Sequence, residues 1–287
     1  ALPTLFVSHG APNLILKDTP ARAFLASYGE RLIAERGRPR AIVMMSAHFE
    51  ADAPTLTADD RPGMIYDFGG FEPELYAIAY PASGDPALAR RAAELIAAQG
   101  ERPRLVTGRG FDHGAWVPLK LLFPDAGIPV VQLSVSPHRD GAWHARLGAA
   151  LGALREEGVL IVGSGAATHN LREIFRTLQR GEENAPAPRW VESYNEWMTA
   201  RIESGALDDV VHALARAPHA RDNHPTPDHF LPLPFAMGAA GEGAKGTRVH
   251  ASTEYGAMVM ALQFRAKTDR APPARRPRPA LRQPEAR

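Results

Sequence analysis

The sequence predicts an α/β fold: a single domain on a central sheet, largely parallel or mixed, flanked by helices. Three observations carry this. Short apolar runs rich in Val, Ile and Leu alternate along the chain with stretches of helical spacing. The links between them are short. The 287 residues, 45% hydrophobic and 23% charged, suffice for a sizeable core. Strand and helix alternating over short links is the pattern of a parallel sheet covered on both faces.

The first strand is expected at Leu2–Ser8, an apolar run without the basic lead-in of a signal peptide. Helical spacing follows over Ala21–Glu35 through Phe24, Leu25, Tyr28, Leu32 and Ile33, entered from Asp18-Thr19-Pro20. A strand at Ala41–Ser46 completes a β-α-β unit. The alternation predicts a helix over Pro86–Gln99, a strand at Arg104–Thr107, a helix over Trp116–Leu122 and a strand at Ile128–Val135. A helix over Ala142–Glu156 and a strand at Val159–Val162 come next. Residues 180–190 read as a polar loop before helices over Val191–Ser204 and Leu207–Ala215. Asn223–Leu233 is Pro-rich and leads into a helix near Phe230–Ala239. Proline fixes φ and lacks a donor N–H, so that lead-in is stiff. Thr247–Thr253 and Gly256–Phe264 read as an edge hairpin turning near Glu254-Tyr255.

Charge divides the chain into a domain, 1–265, and a tail, 266–287. The tail carries seven basic and two acidic residues and is rich in Pro and Ala, a composition that predicts an extended or disordered appendage. The remainder has 26 basic against 30 acidic residues. A slightly acidic body lacks the basic face of a nucleic-acid-binding fold. No apolar run approaches the roughly 18 to 20 residues of a membrane span. With no cysteine, disulfides, iron–sulfur clusters and thiolate zinc sites are excluded. Any metal must be held by His, Asp or Glu, and a cytoplasmic location is the default. The oligomeric state is not legible.

Four of the eleven histidines share a position just beyond an expected strand. His9 follows the first strand in Ser8-His9-Gly10, and His48 the second in Ser46-Ala47-His48. His113 follows Arg104–Thr107 through a glycine-rich link, and His169 follows Val159–Val162. C-terminal strand ends of a parallel sheet lie along one edge, where sites are built. Each histidine alone is readily a hydrogen-bonding loop residue. Four together, three with glycines beside them that admit close backbone approach, predict a cluster. His229 sits in the stiff Pro-rich lead-in, where a ligand would be presented, with His224 nearby as a competing candidate. The remaining histidines are expected to be structural or solvated. Gly163-Ser164-Gly165 lacks the spacing of a nucleophile elbow, and no complete dinucleotide fingerprint, Walker lysine or H-E-x-x-H occurs. Imidazole chemistry with a divalent metal remains.

Seven ordered motifs then identify a resemblance spanning most of residues 3–264. They are Ser8-His9-Gly10-Ala11-Pro12, Ser46-Ala47-His48, Asp67-Phe68-Gly69-Gly70-Phe71, Gly110–Trp116, Gly163-Ser164-Gly165 with Thr168-His169-Asn170, Asn195-Glu196-Trp197, and Pro225–Pro232. The chain resembles class III extradiol ring-cleavage dioxygenases, in the branch similar to 4,5-DOPA dioxygenase. The resemblance implies metal ligands at His9, His48 and His229. It implies an acid/base role for His169, near enough to serve as a fourth ligand, and a place in the substrate cavity for His113. Phe49 stands where Trp is usual and would widen the pocket, and Asp228 where Glu is common. Phe111, Trp116, Phe68 and Phe71 are candidates to wall the substrate ring. The implied reaction is cleavage of a catechol by O₂ with Fe(II), Zn(II) being able to occupy the same site. A zinc hydrolase on the same histidines and a non-enzymatic binding protein are the alternatives.

Overall fold

The computed structural model describes residues 1–267 and residue 269. In chain order the strands are β1 (Thr4–Ser8), β2 (Ala41–Glu50), β3 (Thr55–Thr57), β4 (Arg104–Val106), β5 (Val130–Val135), β6 (Val159–Gly165), β7 (Lys245–Glu254) and β8 (Ala257–Arg265). The helices are α1 (Pro20–Arg36), α2 (Pro86–Ala97), α3 (His113–Leu122), α4 (Gly141–Leu151), α5 (Leu171–Gln179), α6 (Arg189–Ser204), α7 (Leu207–Val211), α8 (Ala213–Arg216), α9 (Ala220–Asn223) and α10 (Pro232–Ala239). All strands lie in one sheet of order β4-β3-β5-β2-β6-β1-β8-β7. Its centre, β5-β2-β6-β1, is parallel. At one side β8 and β7 are antiparallel additions, and at the other β3 runs against β5 with β4 alongside it. The sheet is therefore mixed around a parallel core. No helix among the described residues is long and apolar enough to cross a membrane.

The centre is apolar on both faces because helices cover both. In β2, Ile42 and Met44 face the layer containing Leu25 of α1 and Trp116 of α3. Val43 and Met45 face the opposite layer, with Leu88 of α2, Leu147 of α4, Tyr194 of α6 and Phe235 of α10. That alternation is the period of two of a strand. Glycine lets α10 approach β6: a Cβ on Gly163 would meet the carbonyl oxygen of Pro232 at 2.1 Å, and one on Gly165 that of His229 at 2.1 Å. Nothing larger fits there, and the close approach sets His229 beside the end of β6.

Several expectations are revised. β2 continues past Ser46 to Glu50 with a register shift against β5, so His48 lies within the strand rather than after it. β6 likewise runs on to Gly165. α3 begins at His113, three residues before the expected Trp116. The three-residue β3 and the helix α5 were not expected at all. The edge hairpin is present, its turn made by Tyr255 and Gly256, both at positive φ (53° and 77°), as a two-residue turn of the primed type requires.

The tail segment is described only at Ala266, Lys267 and Asp269. Asp269 is buried against Arg155 and also accepts from the amide of Ala266. Contacts of the body thus reach four residues beyond Arg265. The rest of the tail, Thr268 and residues 270–287, lies outside the described residues.

Candidate metal centre

Three imidazoles converge from three elements. His9 stands at the end of β1, His48 in the last part of β2, and His229 just before α10. Nε2 of His48 is 3.1 Å from Nε2 of His9 and 3.2 Å from Nε2 of His229. The three ring centroids are 4.8 to 5.1 Å apart. His9 and His229 are 2% and 3% exposed, whereas the side chain of His48 is 24% exposed, so the cluster opens outward on the His48 side.

The partners of the opposite ring nitrogens fix what these Nε2 atoms are. Ser164 Oγ donates its one proton to the carbonyl of Gly114 at 2.5 Å. It can then only accept from Nδ1 of His9, 3.0 Å away. Nδ1 of His9 therefore carries the proton and its Nε2 a lone pair. Nδ1 of His229 donates to the carboxylate of Asp228, with the same consequence. Nδ1 of His48 faces the carboxylate of Asp67 at 3.6 Å. Nε2 of His9 and Nε2 of His229 thus each present a lone pair, and both converge on Nε2 of His48.

A cation bound by all three Nε2 atoms fits such an arrangement. Three nitrogens each about 2.1 Å from one ion are separated by about 3.0 Å at right angles and about 3.4 Å at tetrahedral angles. The observed 3.1 and 3.2 Å fall between these. Protonation would need positive charge in the same buried space, and it is suppressed. Burial foremost, with the neighbouring histidines adding to it, lowers His9 well below the usual value. Burial likewise brings His48 down to about 4 and His229 to about 3. The rings are neutral at pH 7, the form in which imidazole binds a metal.

Two more histidines flank the triad. His169 stacks flat on His229, with ring centroids 3.4 Å apart and planes within 6°. Burial lowers its pKa as well. Its loop is pinned from behind: the amide of His169 donates to the carbonyl of Asn223 at 2.8 Å, Thr168 Oγ1 to Asn223 Oδ1 at 2.8 Å, and Asn195 Nδ2 to Thr168 Oγ1 at 3.1 Å. His113 lies on the other side, its ring centroid 4.0 Å from that of His48 and 5.4 Å from that of His9. Donor atoms of His9, His48 and His113 lie within 4.8 Å of one another, as do those of His169, Asp228 and His229. His113 is thus a geometric rival of His229 as third ligand. His229 fits better because its Nε2 sits at ligand-to-ligand distance from that of His48, whereas Nδ1 of His113 stands 3.0 Å from Asp67. That contact is close but bent. Burial pushes the Asp67 carboxyl up, yet the contacts with His113 outweigh it and hold it near 2.

The structure brings His9, His48, His113, His169 and His229 together and turns His224 away. His224 Nε2 contacts the carbonyl of Ala167 at 3.1 Å, and its ring packs between Tyr194 and Phe230. His113 reaches the cluster by a route other than the expected one. β4 runs against the parallel core, so its C-terminal end lies at the opposite edge, and the segment after Gly108 returns to the site. There Asp112 caps α3 and accepts from Ser46 at 2.6 Å and Gln132 at 2.8 Å. Gly114 is required at the next turn, since a Cβ would meet Ser46 Oγ at 2.6 Å and His48 Cδ2 at 2.9 Å.

The expected aromatic wall is corrected in part. Phe111 and Trp116 have no exposed surface and lie in the core, so they back the wall rather than face a substrate. Phe68 meets the ring of His113 edge-on at 5.7 Å, and Phe71 packs on Phe68 at 5.5 Å. The ring of Phe49 lies under the guanidinium of Arg109, 4.1 Å away. Ser164 and Asp67 carry no role in the sequence argument. A polar residue in a wholly buried strand, as Ser164 is in β6, is the signal that could have singled it out.

The comparisons agree with this geometry. Residues 3–263 match the family described as the catalytic LigB subunit of aromatic ring-opening dioxygenase. A 4,5-DOPA dioxygenase extradiol of Beta vulgaris is 42% identical over 257 residues, covering 89% of this chain and 93% of the relative. One from Escherichia coli (strain K12) is 40% identical over 245 residues, covering 83% and 85%. A crystal structure of an uncharacterized protein from Escherichia coli K12 superposes with a TM-score of 0.73 at 33% identity, over 92% of this chain and 99% of that one.

Proposed function

We propose, from the premise that this chain belongs to the family of catalytic LigB subunits of aromatic ring-opening dioxygenases, a substrate, a metal and a role for each clustered histidine. The chain is a metal-dependent extradiol ring-cleaving dioxygenase. Its substrate is a substituted catechol of the DOPA kind, the compound named in the curated relatives. The observation that carries the reading is the convergence of the Nε2 atoms of His9, His48 and His229 with two further imidazoles beside them. A cytoplasmic location accompanies it, in keeping with a chain that has no cysteine.

His9, His48 and His229 would hold Fe(II), which when bound leaves open positions for the two catechol oxygens and O₂ and passes electron density between them. Zn(II) suits the same donor set but has no redox chemistry. His169, neutral and stacked on His229, would take the phenolic proton at a ring nitrogen and later return it to the oxygen released when the O–O bond breaks. An imidazole suits both transfers because its ordinary pKa is near working pH. His113 offers a hydrogen bond from the other side, and Phe68 excludes water beside it. Catechol and one O₂ give one ring-opened semialdehyde carrying both oxygen atoms.

The test is an aerobic assay of iron-loaded protein against DOPA, caffeate and simpler catechols. A yellow product with one O₂ consumed per ring is expected. Equal turnover without O₂, or with zinc alone, would contradict the reading.

A further inference from the structure

The carboxylate of Asp67 touches two of the clustered histidines at once. Its Oδ1 accepts from the backbone N–H of His113 at 2.9 Å. Its Oδ2 stands 3.0 Å from Nδ1 of His113 and 3.6 Å from Nδ1 of His48. One oxygen therefore faces both a ligand of the proposed triad and a histidine outside it. From this juxtaposition we propose that Asp67 is a positioning residue that holds His48 and His113 in one tautomer, Nδ1–H, so that both present Nε2 lone pairs to the pocket. The proposal rests on the reading of His48 as a metal ligand.

The reason is electrostatic. An ionised carboxylate can only accept, so a ring nitrogen 3.0 Å from it is repelled as a lone pair and attracted as an N–H. Partners of this kind fix the orientation of a ligating imidazole and raise its basicity. What sets Asp67 apart is that it is shared. His9 has Ser164 and His229 has Asp228, while His48 and His113 divide one oxygen. A hydrogen bond formed at Nε2 of His113 by a bound substrate makes its Nδ1–H a stronger donor to Asp67. Less of that oxygen's charge is then left for His48. Occupancy of the pocket is thereby felt at a metal ligand through a single carboxylate.

The test is nitrogen-15 NMR of histidine-labelled protein, metal-free and zinc-loaded, with zinc affinity measured by chelator competition. His113 is expected as Nδ1–H in both states, and Nε2 of His48 should shift on zinc binding. Asp67→Asn keeps an oxygen for the amide of His113 while removing the charge. It should leave the melting temperature of the metal-free protein unchanged and weaken zinc binding about 10- to 100-fold, with partial recovery in Asp67→Glu. An Nε2–H tautomer at His113, or undiminished zinc affinity in Asp67→Asn, would overturn the proposal. A His48 resonance indifferent to zinc would instead overturn the ligand assignment beneath it. Should Asp67→Asn fail to fold, the tautomer of His113 in the unsubstituted protein still decides.

Discussion

The two ends of the parallel strands are built from polar groups in opposite ways. At the C-terminal edge, three imidazoles, two of them buried, bring their Nε2 atoms together. At the N-terminal edge, one buried guanidinium is surrounded by acceptors. Arg155, 6% exposed, donates to the carbonyls of Leu2 at 2.7 Å and Ala240 at 2.6 Å and pairs with Asp269. Buried polar groups are ordinarily satisfied, and the exceptions ask for an explanation. Arg155 is satisfied by protein and ties the start of β1, the end of α10 and the residues after β8 together. The three Nε2 atoms instead face one another, and a cation from outside would satisfy all of them together. One end ties the fold together and the other offers donor atoms.

The comparison breaks most visibly at the triad. His229→Ala should abolish metal binding and turnover together while far-ultraviolet circular dichroism and cooperative unfolding persist, because its ring ties no two elements of the fold together and contacts only the adjacent Asp228 and the clustered histidines. Full metal content in that variant would hand the third position to His113. His169→Gln comes next. Metal and catechol binding should survive, and kcat should fall by about 10²- to 10⁴-fold, the usual worth of a positioned acid/base. Unchanged kcat would remove His169 from proton transfer and leave it a stacking partner of His229.

At the other end the signs reverse. Arg155→Met leaves the Asp269 carboxylate buried and two carbonyls without donors, and breaking a buried pair in this way costs about 3–5 kcal/mol. For a chain of this size that is a loss of roughly 6–20 °C in melting temperature, with kcat of the folded protein intact. A chain ended at Arg265 should lose part of the same stability through loss of Asp269, whereas one ended after Asp269 should not. Equal melting temperatures for the two would show that Arg155 does not need its carboxylate.

Much of this division is legible in the sequence, but not its partners. His9 and His169 are placed by the rule that parallel strands end along one edge. His48 is placed by the same rule, although its strand runs on past it, and His229 joins them through the stiff proline lead-in and the resemblance. His113 lies in the cluster although the rule that placed it there fails, since β4 runs the other way. The reason lies in β3, three residues long, whose antiparallel pairing with β5 leaves no periodic signal. α5 does carry one, in Leu171, Ile174, Phe175 and Leu178. The groups that fix the tautomers are illegible for another reason. Ser164 lies 155 residues from His9 and Asp67 lies 46 from His113, so their contacts exist only once the sheet is assembled. Arg155 with Asp269 is the same case, hidden in a stretch whose composition suggests a free tail.

His144 sharpens the comparison at the smallest scale, because it stands near the same edge as the metal site yet behaves like Arg155. Its Nδ1 donates to the carbonyl of Asp140 at 2.8 Å, and its Nε2 accepts from the amide of Ser136 at 3.2 Å. Both nitrogens are satisfied only while the ring is neutral. Burial, partly offset by Asp140, brings its pKa down to about 4, against about 6.5 in the unfolded chain. Between those values the unfolded state binds more protons, so stability is full above about pH 6.5, declines as the pH falls, and levels below about pH 4. At pH 5 the loss amounts to about 2 kcal/mol. Urea unfolding of the wild type and of His144→Asn at pH 7.5 and pH 5 isolates the effect, since the histidines of the metal site titrate equally in both. The wild type should lose about 2 kcal/mol more than the variant on acidification. Parallel losses would mean that His144 accepts a proton without strain, and that its contact with Ser136 does not hold the end of β5.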